Sequence, residues 1–343
     1  MAFFSKNLMF MVAKQESVVG TPEWNFSSTF PADADFKTRI YNISLTPNIE
    51  YDEDVAKMNI GTHGEFNGIV AKQSCQVSFS VPYQDGFVTD NYLADYLASC
   101  GLVSNTYTTT GVGYRSLKQN DKVTMTMAVF NMELGGATPG ATAYLLSGCI
   151  GDASLTCENN GMLSWSFTFT GKLVDNYAVT NANIPVIDND MSAVIARTML
   201  NTTCTVNSIS QYISGFTLAL GNDVQPIINQ AETTGYDNFY IAGRKPRFSI
   251  NSLMRDQATD DVYGRLLAGA DVPISLDFPL VVDSALKIYL PRAYLIPFSL
   301  AEREGLSNYE LNFICGRNHN GTAAKEALIP DETTMELLEG TRS

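Results

Sequence analysis

Histidine is almost missing from this chain: His63 and His319 are the only two among 343 residues. Two rings so far apart give little material for a Ser-His-Asp arrangement or a zinc-ligand set. The six cysteines, Cys75, Cys100, Cys149, Cys157, Cys204 and Cys315, form no C-x-x-C pair, so no zinc or redox motif exists either. Tryptophan is as scarce, with Trp24 and Trp165 alone. No apolar run approaches the roughly 20 residues that a membrane helix needs. Near the start, only Leu8 to Ala13 run apolar before Lys14 and Glu16, shorter than a secretory core, so no leader is expected. Basic side chains are also in deficit: 22 against 36 acidic, a net charge of −14. That sign argues against a tight grip on nucleic acid, which needs Lys and Arg set against phosphates. It leaves room for a surface that nucleic acid passes without sticking.

Catalytic motifs are missing too. Gly171-Lys172 closes no phosphate loop, because Ser166 stands where its first glycine should be, and neither G-x-S-x-G nor H-E-x-x-H occurs. His63, in the run GTHGEFNG, reads as a solvated loop residue. The acidic cluster Glu50, Asp52, Glu53 and Asp54 lacks the alternating ligands and central glycine of a calcium loop and reads as a solvated charge run. Nothing favours paired carboxylates for glycoside hydrolysis. No catalytic, metal or cofactor residue is therefore assigned. Cys100, Cys149 and Cys315 lie in apolar contexts and read as buried thiols; a Cys149–Cys157 disulfide across a hairpin stays open.

What the chain does have is alternation. In NGMLSWSFTFTGK, residues 160–172, Trp165, Phe167 and Phe169 alternate with Ser166, Thr168 and Thr170, the period of a strand with one face in a core. EGLSNYELNFICGR, residues 304–317, repeats the pattern with Tyr309, Leu311 and Phe313. Upstream, Ile43-Ser44-Leu45-Thr46 matches Phe216-Thr217-Leu218-Ala219, and Cys75 to Val81 matches Arg247 to Asn251. Polar stretches, 48–68 and 221–238, follow the first strand of each set. One helical stripe occurs per half: Tyr92, Leu93, Tyr96 and Leu97, capped by Asp90 or Asn91 and stopped by Gly101; then Val262, Tyr263, Leu266 and Leu267, capped by Asp260 or Asp261. Further strands are expected at 122–129, 143–150, 274–278 and 286–290, and the connector becomes a strand near Thr198 to Val206. Composition and pattern thus predict a mainly β chain. It divides into an N-terminal arm (1–40), a first antiparallel β-sandwich or barrel domain (41–175), a connector (176–205), a second such domain (206–317) and an acidic tail (318–343) expected to be mobile unless a partner binds it.

Several of these segments, in this order, resemble the major tail tube proteins of long-tailed, non-contractile bacteriophages in their two-domain form. The likeness rests on Ala13-Lys14-Gln15-Glu16-Ser17-Val18-Val19-Gly20-Thr21, Ile43 to Pro47, Ala98 to Leu102 and Ser164 to Gly171. In the second half it rests on Phe216 to Asn222, Ala242 to Pro246 and Arg303 to Leu311. The connector and the acidic tail have no counterpart. The resemblance implies a virion structural protein that is not an enzyme. Its subunits form stacked, pseudo-hexameric rings, trimeric when each chain brings two domains. Other tail proteins, including a tape-measure protein, are the further partners, and DNA passes through the lumen without specific binding. Assembly in the host cytoplasm, with no membrane partner, goes with that reading. Residues 1–40 and 48–68 are the candidates for ring-to-ring contact, so removing 1–40 should leave folded subunits that stack poorly. The alternatives are a distal tail or capsid-decorating protein, and a carbohydrate-binding adhesin, which clusters of exposed Trp and Tyr would favour.

Overall fold

A segment that alternates aromatic and hydroxyl side chains can bury only one set, so it settles as a strand lying over a core. In the computed structural model this happens throughout. The structure describes residues 8–31, 40–52, 69–83, 92–108, 111–116, 123–133, 140–158, 161–179, 198–278, 285–303, 305–316 and 336–340. The first elements are β1 (Leu8–Gln15), β2 (Tyr41–Asp52), β3 (Ile69–Pro82), α1 (Tyr92–Ser99), β4 (Leu102–Thr108), β5 (Gly111–Ser116), β6 (Met125–Glu133), β7 (Gly140–Glu158) and β8 (Ser164–Val179). Then come β9 (Thr203–Val206), β10 (Ile209–Gln211), β11 (Ile213–Ala219), β12 (Asn222–Ile228), β13 (Tyr236–Arg244), β14 (Arg247–Leu253) and α2 (Val262–Ala268). The last are β15 (Asp271–Asp277), β16 (Ala285–Leu295), β17 (Ser299–Arg303), β18 (Leu306–Cys315) and β19 (Glu336–Gly340). Among the described residues the fold is mainly β with two short helices, and the mainly β character is what the pattern predicts.

Hydrogen bonding orders the strands into two antiparallel ladders. The first runs β2-β3-β8-β7-β6-β1. The second runs β11-β14-β18-β16-β15-β9, the same order with one strand substituted for each. Among the described residues neither closes into a barrel. Irregularities match as well as order. The shift between Tyr41 and Ser44 on β2 has its counterpart between Ile213 and Gly215 on β11. The break between Glu50 and Tyr51 answers the one between Asp223 and Val224. Met125/Met127 on β6 answers Val272/Ile274 on β15. Bulges set local twist and re-aim a strand, so three at like places give the ladders like curvature.

The alternating faces meet as the sequence pattern requires. Phe79, Phe167 and Phe169 stack with centroids 5.4 and 5.8 Å apart, and Tyr96 of α1 closes edge-on over Phe79 at 5.2 Å. Each fully buried ring of this kind contributes about 1.5–3 kcal/mol. In the second ladder Phe248 pairs with Phe313 at 6.4 Å, and Phe216 meets Phe278 at 5.9 Å. Asp261 caps α2 by accepting from the Gly264 N–H, and Gly269 ends it in the left-handed region. The caps proposed for α1, Asp90 and Asn91, lie outside the described residues.

Four expectations change. Residues 8–31 are no free arm: β1 pairs with β6, Phe10 stacks on Phe130 at 4.7 Å, and Trp24 and Phe26 are buried in the same cluster. The polar stretch 221–238 is largely a hairpin, β12 with β13, matching the far half of β2 with β3. Residues 336–340, read as tail, form β19, which pairs with both β16 and β5. It takes the place beside β16 that the long end of β8 takes beside β7. Finally, Cys149 and Cys157 lie on one strand, β7, and all six thiols are free and buried, so no hairpin separates the two.

Candidate assembly interface

Where the two ladders meet, they join by backbone. The far end of β7 extends past β6 and pairs with β11: Gly215 with Glu158, Phe216 with Cys157, Thr217 with Thr156, Leu218 with Leu155 and Ala219 with Ser154. The Leu220 N–H then donates to the Ala153 carbonyl at 2.9 Å. Leu155 and Leu218 face each other at 0 % exposure. The joint therefore adds main-chain hydrogen bonds to an apolar seam, the two ingredients of strand addition at a sheet edge.

Beyond the joint, the β12–β13 hairpin lies over the first ladder. Asn222 donates from its side chain to the carbonyls of Cys100 (2.7 Å) and Gly151 (2.9 Å), and its N–H donates to Asp152. Arg244 Nη2 donates to the same Cys100 carbonyl at 2.9 Å while its Nε holds the Asn222 side chain at 2.7 Å. The two donors on Cys100 answer a carbonyl left open at the end of α1. Tyr236 and Phe239 bury Ile150 of β7 beneath the hairpin. At its tip the Thr234 carbonyl accepts from the Gln73 N–H, and Tyr236 reaches Glu50.

Glu16 anchors the segment before the joint. Its buried carboxylate accepts from the hydroxyls of Thr124, Thr126 and Ser147 and from the N–H groups of Gly20 and Gly148. Lys172 Nζ donates to the Gly20 carbonyl at 3.0 Å. The run from Ala13 to Thr21 is thus a clasp that ties the N-terminal segment to β6, β7 and β8. In the second ladder a buried Asp260, paired with Arg265 and Gln211, does the same for the start of α2.

Of the residues weighed for chemistry, Glu50 has a described partner. Glu50 is ion-paired with Lys72 at 2.8 Å, and the Lys72 ammonium holds its carboxyl below the usual range. Glu53, Asp54, His63 and His319 lie outside the described residues. Among the described residues no group of His, Cys, Asp and Glu is placed to hold a metal ion. Both tryptophans are buried, so neither offers the flat exposed ring that an adhesin uses. Burial pushes the Cys75, Cys204 and Cys315 thiols up to about 12, and raises those of Cys100, Cys149 and Cys157. Reaction requires thiolate. A maleimide at pH 8 should therefore label the folded chain at least ~100-fold more slowly than the unfolded chain, as mass spectrometry will report; rapid native labelling would contradict the burial.

The edge-joining strands were not visible as a site in the sequence. Their only signal was the match of residues 43–46 with 216–219. No individual curated protein matches the chain. Residues 9–315 do match the family model for phage tail tube protein, so the chain belongs to that family, a structural component of the virion tail.

Proposed function

We propose that this chain polymerises into stacked rings that form the tail tube, three chains to a ring, with DNA passing through the bore. The observation that carries this is the edge-to-edge joint of two ladders with the same strand order and the same bulges. Two like units, 41–175 with β1 and 206–317 with β9 and β19, are on this reading the two copies of a duplicated domain. Three chains supply six of them, and a closed ring gives every unit a neighbour at the edge used by the internal joint. Residues 48–68 are the segment proposed to touch the next ring, since β1 and Glu16 commit much of 1–40 to their own ladder. Removing 1–40 would therefore strip an edge strand as well as any contact. A tape-measure protein and other tail proteins complete the assembly, which forms in the host cytoplasm.

Charge suits the task. With a net −14, a bore lined by carboxylates and hydroxyls repels phosphate within a Debye length of about 8 Å at physiological salt. Negative-stain electron microscopy at rising protein concentration is expected to show hollow filaments of uniform diameter, and a reconstruction an acidic bore. A persistent monomer, or single rings that never stack, would sink the reading; a continuous Lys/Arg lining would overturn its electrostatic part.

A further inference from the structure

The joint inside one chain also describes the joint between chains. Following the matched ladders, β17 is to β18 what the far end of β7 is to β8. Ser299 faces Glu310 and Leu300 faces Tyr309, as Ser154 faces Ser166 and Leu155 faces Trp165. On its other side, the far end of β7 carries β11. Among the described residues β17 carries nothing there. The strand that matches β11 is β2, which pairs only with β3 among the described residues.

Exposure marks the same gap. Leu155 is 0 % exposed beneath β11, whereas its counterpart Leu300 is 67 % exposed. Leu218 is fully buried and its counterpart Leu45 only half-buried. The ends of the two helices differ likewise. A side chain on Gly101, just past α1, would run into Arg244 of the covering hairpin, whereas one on Gly269, just past α2, would meet nothing within 4 Å. Leu267 of α2 stands 72 % exposed beside that bare end. One half of the chain is covered by the other, and among the described residues the second half has the same surface uncovered.

We infer that β2 of a second copy of this chain pairs with β17, in the register that β11 keeps on β7, and that the root of its β2–β3 hairpin covers the end of α2. Transferring that register pair by pair sets Thr46 against Ser299, Leu45 against Leu300, Ser44 against Ala301, Ile43 against Glu302 and Asn42 against Arg303. Leu45 on Leu300 restores the buried leucine pair of the internal joint. Glu302 departs from the template, standing where Cys157 does; its carboxylate charges the free edge, which keeps isolated chains from pairing indiscriminately. The inference rests on the tube reading and adds to it which edges meet and how.

Cysteine cross-linking tests the register. Directly opposed residues in an antiparallel ladder have Cα atoms about 4.5–5.5 Å apart, within disulfide reach, and diagonal ones about 7–8 Å apart, beyond it. The native thiols are buried. The full-length double variant Ser44→Cys/Ala301→Cys, oxidised after assembly, is expected to give covalent oligomers on a non-reducing gel. The offset pair Ser44→Cys/Ser299→Cys should react at least ~10-fold more slowly. All of these positions are exposed in the lone chain, so circular dichroism and melting should be unchanged. Leu300→Asp, exposed and equally harmless to the monomer, should abolish filaments. Filaments seen by electron microscopy without the Ser44–Ala301 link, or filaments that persist in Leu300→Asp, would overturn this seam while leaving the tube intact. A double variant that neither links nor forms filaments, with the unmodified chain also monomeric, would remove both.

Discussion

Glu16→Ala is expected to destabilise the folded chain by about 3–5 kcal/mol, since removing one partner of a buried charged network leaves the others unsatisfied. Five donors now converge on that carboxylate: three hydroxyls and two N–H groups. Their desolvation was offset by one anion, and alanine returns nothing to them. Glu16→Gln should recover little, because its amide presents two N–H donors where only acceptors fit. The loss is also topological. Thr126, Ser147 and Gly148 belong to β6 and β7 and Thr124 lies just before β6, so the carboxylate locks the end of β1 to its neighbours. Thermal unfolding should shift down by roughly 5–10 °C, and proteolysis should begin within residues 8–31. A variant melting within about 1 °C of the parent would show that water satisfies the donors equally well.

Phe169→Ala and Phe313→Ala should each cost about 3–5 kcal/mol, by loss of transfer energy plus the cavity left behind. The two rings hold equivalent places, Phe169 opposite Val77 and Phe313 opposite Phe248, and both are buried. More informative than either value is the shape of the transition. The ladders share the β7–β11 joint, and β19 bonds to a strand from each half. A lesion in one is therefore expected to lower a single cooperative transition, reported alike by calorimetry and tryptophan fluorescence. Two separated transitions, with Phe313→Ala moving only one, would mean that the joint is weaker than its buried leucines imply.

How much of this was legible in the sequence depended on how each strand is covered. Trp165, Phe167 and Phe169 against Tyr309, Leu311 and Phe313 announced matching strands, because one face is buried and the other wet; Ile43 to Thr46 and Phe216 to Ala219 occupy matching registers. Strand β1 did not announce itself. Phe10 and Val12 enter one cluster and Met11 the other, and a strand buried on both faces loses its alternation. The β12–β13 hairpin hid behind Pro226 and many polar residues, since it lays only a few side chains on Ile150. The strand expected at 143–150, with a hairpin open between Cys149 and Cys157, is one strand of 19 residues, β7. The assembly edges were least legible of all. An edge is defined by which neighbour is missing, and no local pattern writes that down.

Strand β19 carries one more consequence. It lies between β5 and β16, whose residues are separated by much of the chain. During translation the slot between them stays vacant until the ribosome has passed residue 340. A nascent subunit then has both halves in outline but lacks the strand that rivets them, and acceptance of β19 requires each half to have reached its native shape. If that pairing forms last, it completes only on a molecule whose two halves are already in place.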